Sequence, residues 1–293
     1  MSNCNICPRA CDVCRKTSCG FCGEGQKVRV ARAAPHYWEE PCISGTKGSG
    51  TVFFSGCNLR CVFCQNGAIS HKGVGKVLST AQLAEIFLRL QDTGVHNINL
   101  VTPTHFSIQI KEALLLAKAK GLVLPIVWNS GGYESVETLR SLEDVVDVYM
   151  PDFKYASEEL GKRYSHAKDY FPTAKAALDE MVLQKGGAEF KDGLMVKGVL
   201  VRHLVLPACT EDSKAVIRFL HRRYGNSVYL SIMKQYTPPK HPVPDELGRT
   251  LTEAEYEEVC EYAKRIGVEQ GFFQEGDPVG ESFIPEFDLS GVE

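Results

Sequence analysis

The chain has 293 residues, 44% of them hydrophobic and 24% charged, with a formal net charge of −3. This length supports one large α/β domain or two modest ones around a sizeable core, and the near-neutral balance excludes a nucleic-acid backbone as the main partner. No apolar run is long enough to span a bilayer and no apolar leader follows Met1, so the twelve cysteines are expected to be metal-binding thiols of a cytoplasmic chain rather than disulfides.

Residues 1–45 are rich in Cys, Gly, Pro and Arg and carry no apolar period. The run Cys4-x-x-Cys7-Pro8-Arg9-x-Cys11, followed by Cys14, Cys19 and Cys22, is too dense for free thiols and predicts a small metal-organised lobe. Spacing does not separate zinc from mononuclear iron or an auxiliary cluster. A linker, His36-Tyr37-Trp38-Glu39-Glu40-Pro41, follows. Its two adjacent carboxylates suit either a cavity or a solvent-facing turn.

From residue 46 to 270 the text alternates between short aliphatic runs and amphipathic runs. Strands are expected at 51–55, 97–102, 123–128, 146–150, 197–206 and 227–233, each bounded by Gly, Pro, Asn or Asp. Helices are expected at 80–93, 106–120, 135–142, 157–164, 173–184, 213–224 and 253–266, where apolar residues recur at helical spacing. Alternating strands and helices predict a parallel sheet of about six βα units, fewer than the eight of a closed barrel. Residues 271–293 are expected to form an irregular tail. Cys209 and Cys260 stand alone and read as core thiols.

After the first strand comes Cys57-Asn58-Leu59-Arg60-Cys61-Val62-Phe63-Cys64. Iron–sulfur clusters are usually held by four cysteines. Three thiolates in one short loop would leave one iron open, which chemistry requires and structural sites avoid. Zinc sites instead pair distant C-x-x-C halves. The ends of the other strands supply further polar candidates. They are Thr102 and Thr104 with His105 (the last two also suit a helix cap), Asn129 in a Gly-containing turn, Asp152 with Lys154, Arg202, and Met233-Lys234-Gln235-Tyr236.

The cysteine loop, with Phe63 before its last cysteine and Gln65-Asn66 after it, resembles the radical S-adenosylmethionine (SAM) superfamily, and most of all the pyruvate formate-lyase activating enzymes. The Asp152-x-Lys154 and Arg202-x-x-x-x-Pro207 segments are similar to theirs. The set Cys4, Cys7, Cys11 and Cys22 resembles that of an uncharacterised branch with a cysteine-rich N-terminus. The resemblance implies a partial (βα)6 TIM-like barrel with its mouth at the C-terminal strand ends. It implies a [4Fe–4S] cluster on Cys57, Cys61 and Cys64, with SAM on the open iron and near Phe63, Asn66, Thr102, Thr104, Asn129, Asp152, Lys154 and Arg202. A second metal, zinc or iron, is implied on the four N-terminal cysteines. The usual Gly-Gly-Glu-Pro segment is replaced here by Thr102-Pro103-Thr104-His105. The expected activity is reductive cleavage of SAM and hydrogen abstraction from a protein (such as a glycyl-radical enzyme), a peptide or a small molecule. An external donor such as flavodoxin or ferredoxin would supply the electron. The rival from another class is a non-catalytic iron–sulfur electron carrier.

Overall fold

The structure, a computed structural model, describes residues 4–274 and 284–292. After the cysteine-rich loop the chain forms β1 (Val28–His36), α1 (Pro41–Ser44), β2 (Ser49–Phe54), α2 (Gly67–Ser70), β3 (Lys76–Leu78) and α3 (Thr80–Asp92). Next come β4 (Ile98–Val101), α4 (Ser107–Ala119), β5 (Ile126–Ser130), α5 (Val136–Leu142), β6 (Val148–Pro151), α6 (Glu158–Ser165) and α7 (Tyr170–Lys185). The remainder is β7 (Glu189–Lys191), β8 (Leu194–Leu204), α8 (Thr210–Tyr224), β9 (Tyr229–Met233), α9 (Glu253–Arg265) and β10 (Gly271–Phe273).

The sheet order is β10-β9-β8-β6-β5-β4-β2-β1-β3, with β7 on β8. Strands β2, β4, β5, β6, β8 and β9 are successive parallel neighbours, giving the expected partial (βα)6 barrel. A period of two sorts their side chains. Val52, Phe54, Ile98, Leu100, Trp128, Tyr149, Val201 and Ile232 join the main core beneath the helices. Val127, Val148, Met150 and Leu200 turn inward and pack on Cys42 and Ile43 of α1, so α1 plugs the barrel floor. Each such aliphatic side chain contributes roughly 1.5–3 kcal/mol by leaving water.

Four differences from the sequence reading have physical reasons. Residues 28–36, expected within the N-terminal lobe, pair antiparallel with β2 and β3 and extend the sheet. Residues 271–273, expected in the irregular tail, pair parallel with β9. Residues 284–292 of that tail lie along β1, where the Ala33 N–H donates to the Ser290 carbonyl and Phe287 packs edge-on to Phe53; residues 275–283 lie outside the described residues. The third strand starts at Ile126, after Pro125, whose missing N–H cannot enter a ladder, and leaves Val123 exposed. Helix α7 starts at Tyr170 rather than Thr173, because Pro172 falls in the first turn, where its missing N–H costs nothing. Among the described residues no helix is long and apolar enough to cross a membrane.

His203 stands between cavity-lining Arg202 and Leu204, hence on the helix side of β8. It is buried, and its Nδ1 lies 2.7 Å from the Phe153 carbonyl. Burial pushes its pKa down to about 4. The unfolded chain therefore binds a proton near pH 6.5 that the folded chain refuses until about pH 4. This contribution is full above pH 6.5 and fades at about 1.4 kcal/mol per pH unit as pH falls between the two. Urea denaturation at pH 7, 6 and 5 should show this loss of stability, and His203→Gln should flatten the decline.

Candidate functional site

The site is built where β2 ends. Gly56 holds φ at +80°, and a Cβ there would sit 2.5 Å from Glu24 Cγ and 2.8 Å from the Cys22 carbonyl oxygen. Glycine thus lets the N-terminal segment press directly on the start of the cysteine loop. Beyond it Cys57, Cys61 and Cys64 line one cavity, and among the described residues no other cysteine does. Each sulfur receives a donor: the Leu59 N–H at 3.3 Å from Cys57, the Ser165 hydroxyl at 2.9 Å from Cys61, and the Ser70 hydroxyl at 3.2 Å from Cys64. Burial raises all three thiol pKa values, and a neighbouring thiol raises each further. A cationic centre at this point would favour the thiolates and relieve the crowding. Three thiols, each with a donor and with no fourth beside them, fit an iron–sulfur cluster that keeps one iron open.

Most of the other expected residues line the same cavity: Phe63, Asn66, Thr102, Asn129, Asp152, Lys154 and Arg202, with Met233 and Gln235. Phe63 packs edge-on to Tyr164. Thr102 has φ +59°, rare for a β-branched residue and worth about 1–3 kcal/mol of strain; its N–H donates to the Asn129 carbonyl at 2.9 Å. Lys154 Nζ lies 2.6 Å from Asp152 Oδ2. Burial opposes its charge, but Asp152 and Cys61 outweigh burial and hold the ammonium charged. Arg202 is likewise held charged against burial by two carboxylates, Glu40 and Glu39, each 3.1 Å away.

Thr104 does not reach the cavity. Its hydroxyl donates to buried Glu134 at 2.7 Å, because the turn after β4 points it into the packing beneath the loop. His105 is buried behind Gly56, with Nε2 2.7 Å from the Ser55 carbonyl. Tyr236 is core rather than mouth, and its hydroxyl donates to the Leu247 carbonyl. Cys209 and Cys260 are buried free thiols.

In the N-terminal segment Cys7 and Cys22 are buried, and Cys4 and Cys11 half-buried. Burial, then the Cys22 and Cys11 thiols, push Cys7 up to about 12; Cys4 and Cys11 act in the same way on Cys22. Gly20 sits between the sulfurs of Cys11 and Cys22. Cys14 instead takes hydrogen bonds from Lys16 and Thr17, and Cys19 is exposed. Among the described residues, no three His, Cys, Asp or Glu side chains already stand at the spacing of a single bound ion.

This segment grips the cysteine loop through contacts that spacing does not reveal. The Cys57 N–H donates to the Cys22 carbonyl at 3.3 Å. Arg9 donates from Nε to the Asn58 carbonyl at 2.7 Å and from its NH2 group to the Ser165 carbonyl at 2.9 Å, with its guanidinium 4.1 Å from the Phe21 ring centroid. Arg15 donates to the His105 carbonyl. Arg9 stood within the Cys-Pro-Arg run, but its partners are 49 and 156 residues away.

An open parallel barrel thus carries a three-thiol loop at the C-terminal end of β2, opening on a cavity lined by charged and polar side chains. Residues 51–196 match the Radical SAM superfamily. Over 283 residues the chain is 32% identical to the uncharacterized protein MJ0674 of Methanocaldococcus jannaschii, spanning 91% of this chain and 76% of that one. It is 23% identical to MJ0808 of the same organism, over 92% of this chain and 78% of that one. The chain belongs to the radical SAM superfamily, and with it come the family's [4Fe–4S] cluster and SAM. Among solved structures, native anSMEcpe with bound AdoMet shares the fold with a TM-score of 0.51 at 11% identity, over 72% of this chain and 58% of that one. Streptococcus suis SuiB bound to precursor peptide SuiA does so with 0.50 at 12%, over 75% and 46%. The chain thus spans about half the length of these solved proteins.

Replacing Arg9 by Ala removes three charge-assisted hydrogen bonds, to the Asn58 carbonyl of the loop and to the Ser165 and His166 carbonyls on its flank, each worth about 1.5–3 kcal/mol. After anaerobic reconstitution, Arg9→Ala should retain less than about half the iron of the wild type with an unchanged far-ultraviolet dichroism spectrum. Equal iron content would remove the gripping role.

Proposed function

We propose that Cys57, Cys61 and Cys64 hold a [4Fe–4S] cluster, that SAM binds in the adjoining cavity, and that the enzyme abstracts hydrogen from a C–H bond of its substrate. The observation that carries this reading is the three thiols that open, with no fourth among the described residues, on a cavity that also presents Thr102, Asn129, the Asp152–Lys154 pair and Arg202. When bound, the cluster supplies the electron that breaks a carbon–sulfur bond of SAM's sulfonium. The chain's own residues orient and shield. Asp152 offers acceptors to hydroxyl groups and Lys154 offers a fixed positive charge to a carboxylate. Phe63 and Met233 give an apolar wall that keeps water from the reacting centre. Ser70, Ser165 and the Leu59 amide fix the sulfurs.

The substrate in this reading is a peptide segment, and a glycyl-radical enzyme, as for an activase, is the specific form that the cysteine-loop resemblance favours. Two solved proteins of this fold, anSMEcpe with the Cp18Cys peptide and SuiB with SuiA, hold peptides in a comparable frame. A small metabolite is the second form. The electron comes from an external flavodoxin or ferredoxin. Cys4, Cys7, Cys11 and Cys22 hold a second metal, zinc or iron, whose role is to keep the gripping segment folded.

Cluster-loaded protein with dithionite and SAM should release 5′-deoxyadenosine and methionine; no release from a loaded sample overturns the reading. Anaerobic metal and sulfide analysis should find about four iron and four sulfide per chain at the main site. The Cys57/Cys61/Cys64 triple alanine variant should lose these while keeping the second metal. A glycine radical detected by paramagnetic resonance on a co-incubated partner would identify the activase form.

A further inference from the structure

The sheet runs from β10 to β3 without closing, and the C-terminal tail builds part of the cavity wall. Strand β3 pairs with β1 only through Val30. Beyond it the tail takes over: the Leu289 N–H donates to the Ala31 carbonyl at 3.1 Å and the Ala33 N–H to the Ser290 carbonyl at 2.9 Å. Arg32 fastens the same stretch, with NH1 3.1 Å from the Glu286 carbonyl and 2.7 Å from Asp288 Oδ1. Val292 is buried, and Phe287 packs on Ala31, Phe53, Ile69 and Val101. The tail is thus held at several points, and Ile284, at the start of this stretch, lines the cavity.

Trp38, Phe53 and Val101 line the cavity with Ile284. His36 lines it as well, its ring 6.0 Å from that of Phe53. Burial, then Arg202 and Arg32, push its pKa down to about 4, so it is neutral. The neighbouring carboxylate, Glu39, faces Arg202 and the Asn99 amide. None of these four apolar residues is among those that the family resemblance implies for SAM, which come from the cysteine loop and the ends of β4, β5, β6 and β8. A charged group set against this wall would lose its water without gaining a partner. An apolar group set there is stabilised by leaving water. Trp38 is half exposed, so the wall reaches solvent at its rim. We propose that Ile284, Trp38, Phe53 and Val101 form a subsite for an uncharged hydrophobic side chain of the substrate, aliphatic or aromatic. The proposal rests on the reading above in taking this cavity as the reaction chamber.

Binding to the cluster-loaded full chain is measured calorimetrically, with and without saturating SAM, using the N-acetyl amides of leucine, phenylalanine, lysine and glutamate. At least one of the first two should bind saturably in the presence of SAM, and the two charged probes about tenfold more weakly or worse. Ile284→Ser should weaken the hydrophobic probe about tenfold and leave SAM affinity within about twofold. Ile284→Asp should narrow the gap between the hydrophobic and lysine probes by about tenfold or more, a change of preference that a purely structural role of Ile284 would not produce. The proposal is overturned if neither hydrophobic probe binds, if the charged probes bind equally well, or if Ile284→Ser binds as the wild type does. It is also overturned if Ile284→Asp leaves the gap unchanged, or if SAM displaces the hydrophobic probe or is itself lost from Ile284→Ser, since the wall then serves SAM. Production of 5′-deoxyadenosine is measured on the same samples. The titrations without SAM test the subsite even where the reaction fails, so the two failures are read separately.

Discussion

Charge taken into the interior of the barrel has to find its partner there, and this constraint organises the molecule. Three thiols, two cations and two carboxylates line one cavity, with Glu40 behind Arg202, in surroundings where each isolated charge would be far costlier than in water. The thiols are each given a hydrogen-bond donor but are all raised in pKa by burial and by one another, against which the Lys154 ammonium acts on all three. Lys154 closes on Asp152, and Asp152 bridges in register to Arg202 on the neighbouring strand. Arg202 is in turn shared between Glu39 and Glu40. The charges thus form one connected chain from the cysteine loop to the linker before α1.

The N-terminal segment makes the cysteine-loop end of this chain possible. A loop that must hold three thiols a few ångströms apart has no ladder of its own, and its backbone groups need partners from elsewhere. Cys22 and Arg9 supply them, and Arg15 ties the same segment to the His105 carbonyl behind Gly56. Gly56 is the point of contact, because any side chain would push the segments apart. The density of cysteine in a segment with almost no apolar core of its own then has a physical sense. In the proposed reading, thiol–metal bonds take the place of buried hydrophobic surface in holding this segment rigid.

Much of this was legible in the sequence, and what was not has a common cause. The six βα units could be read because β2, β4, β5, β6, β8 and β9 are short aliphatic runs closed by turn residues, and the cysteine loop because its spacing is local. The set Cys4, Cys7, Cys11 and Cys22 came from the family resemblance alone. Strands β1, β3, β7 and β10 were missed. Three of them are three residues long, too short to show a period, and exist because a neighbour's edge is free. Thr104 was misplaced because an exposed cap and a buried hydroxyl bonded to Glu134 look alike in one dimension. Ser70, Ser165 and Arg9 were invisible for the opposite reason. Their residue types are ordinary, and only tertiary proximity gives them a sulfur or a loop carbonyl to bind.

The same alternation of side chains that builds the core also sets the depth of each functional group. On β4, Ile98 and Leu100 go outward to the helices, which leaves Asn99 and Val101 inward, one polar and deep, the other apolar and near the mouth. On β8, Val199 and Val201 go outward and Leu200, Arg202 and Leu204 inward. A shift of one residue in either strand would exchange the two sets, placing Arg202 among the helices and His203 in the chamber. The burial of the outward aliphatics therefore fixes the register, and the register fixes which charge meets which. The positions of Asn99 and Arg202 opposite Glu39 and Glu40 follow from the packing of Val201 and Leu100, residues that touch no ligand.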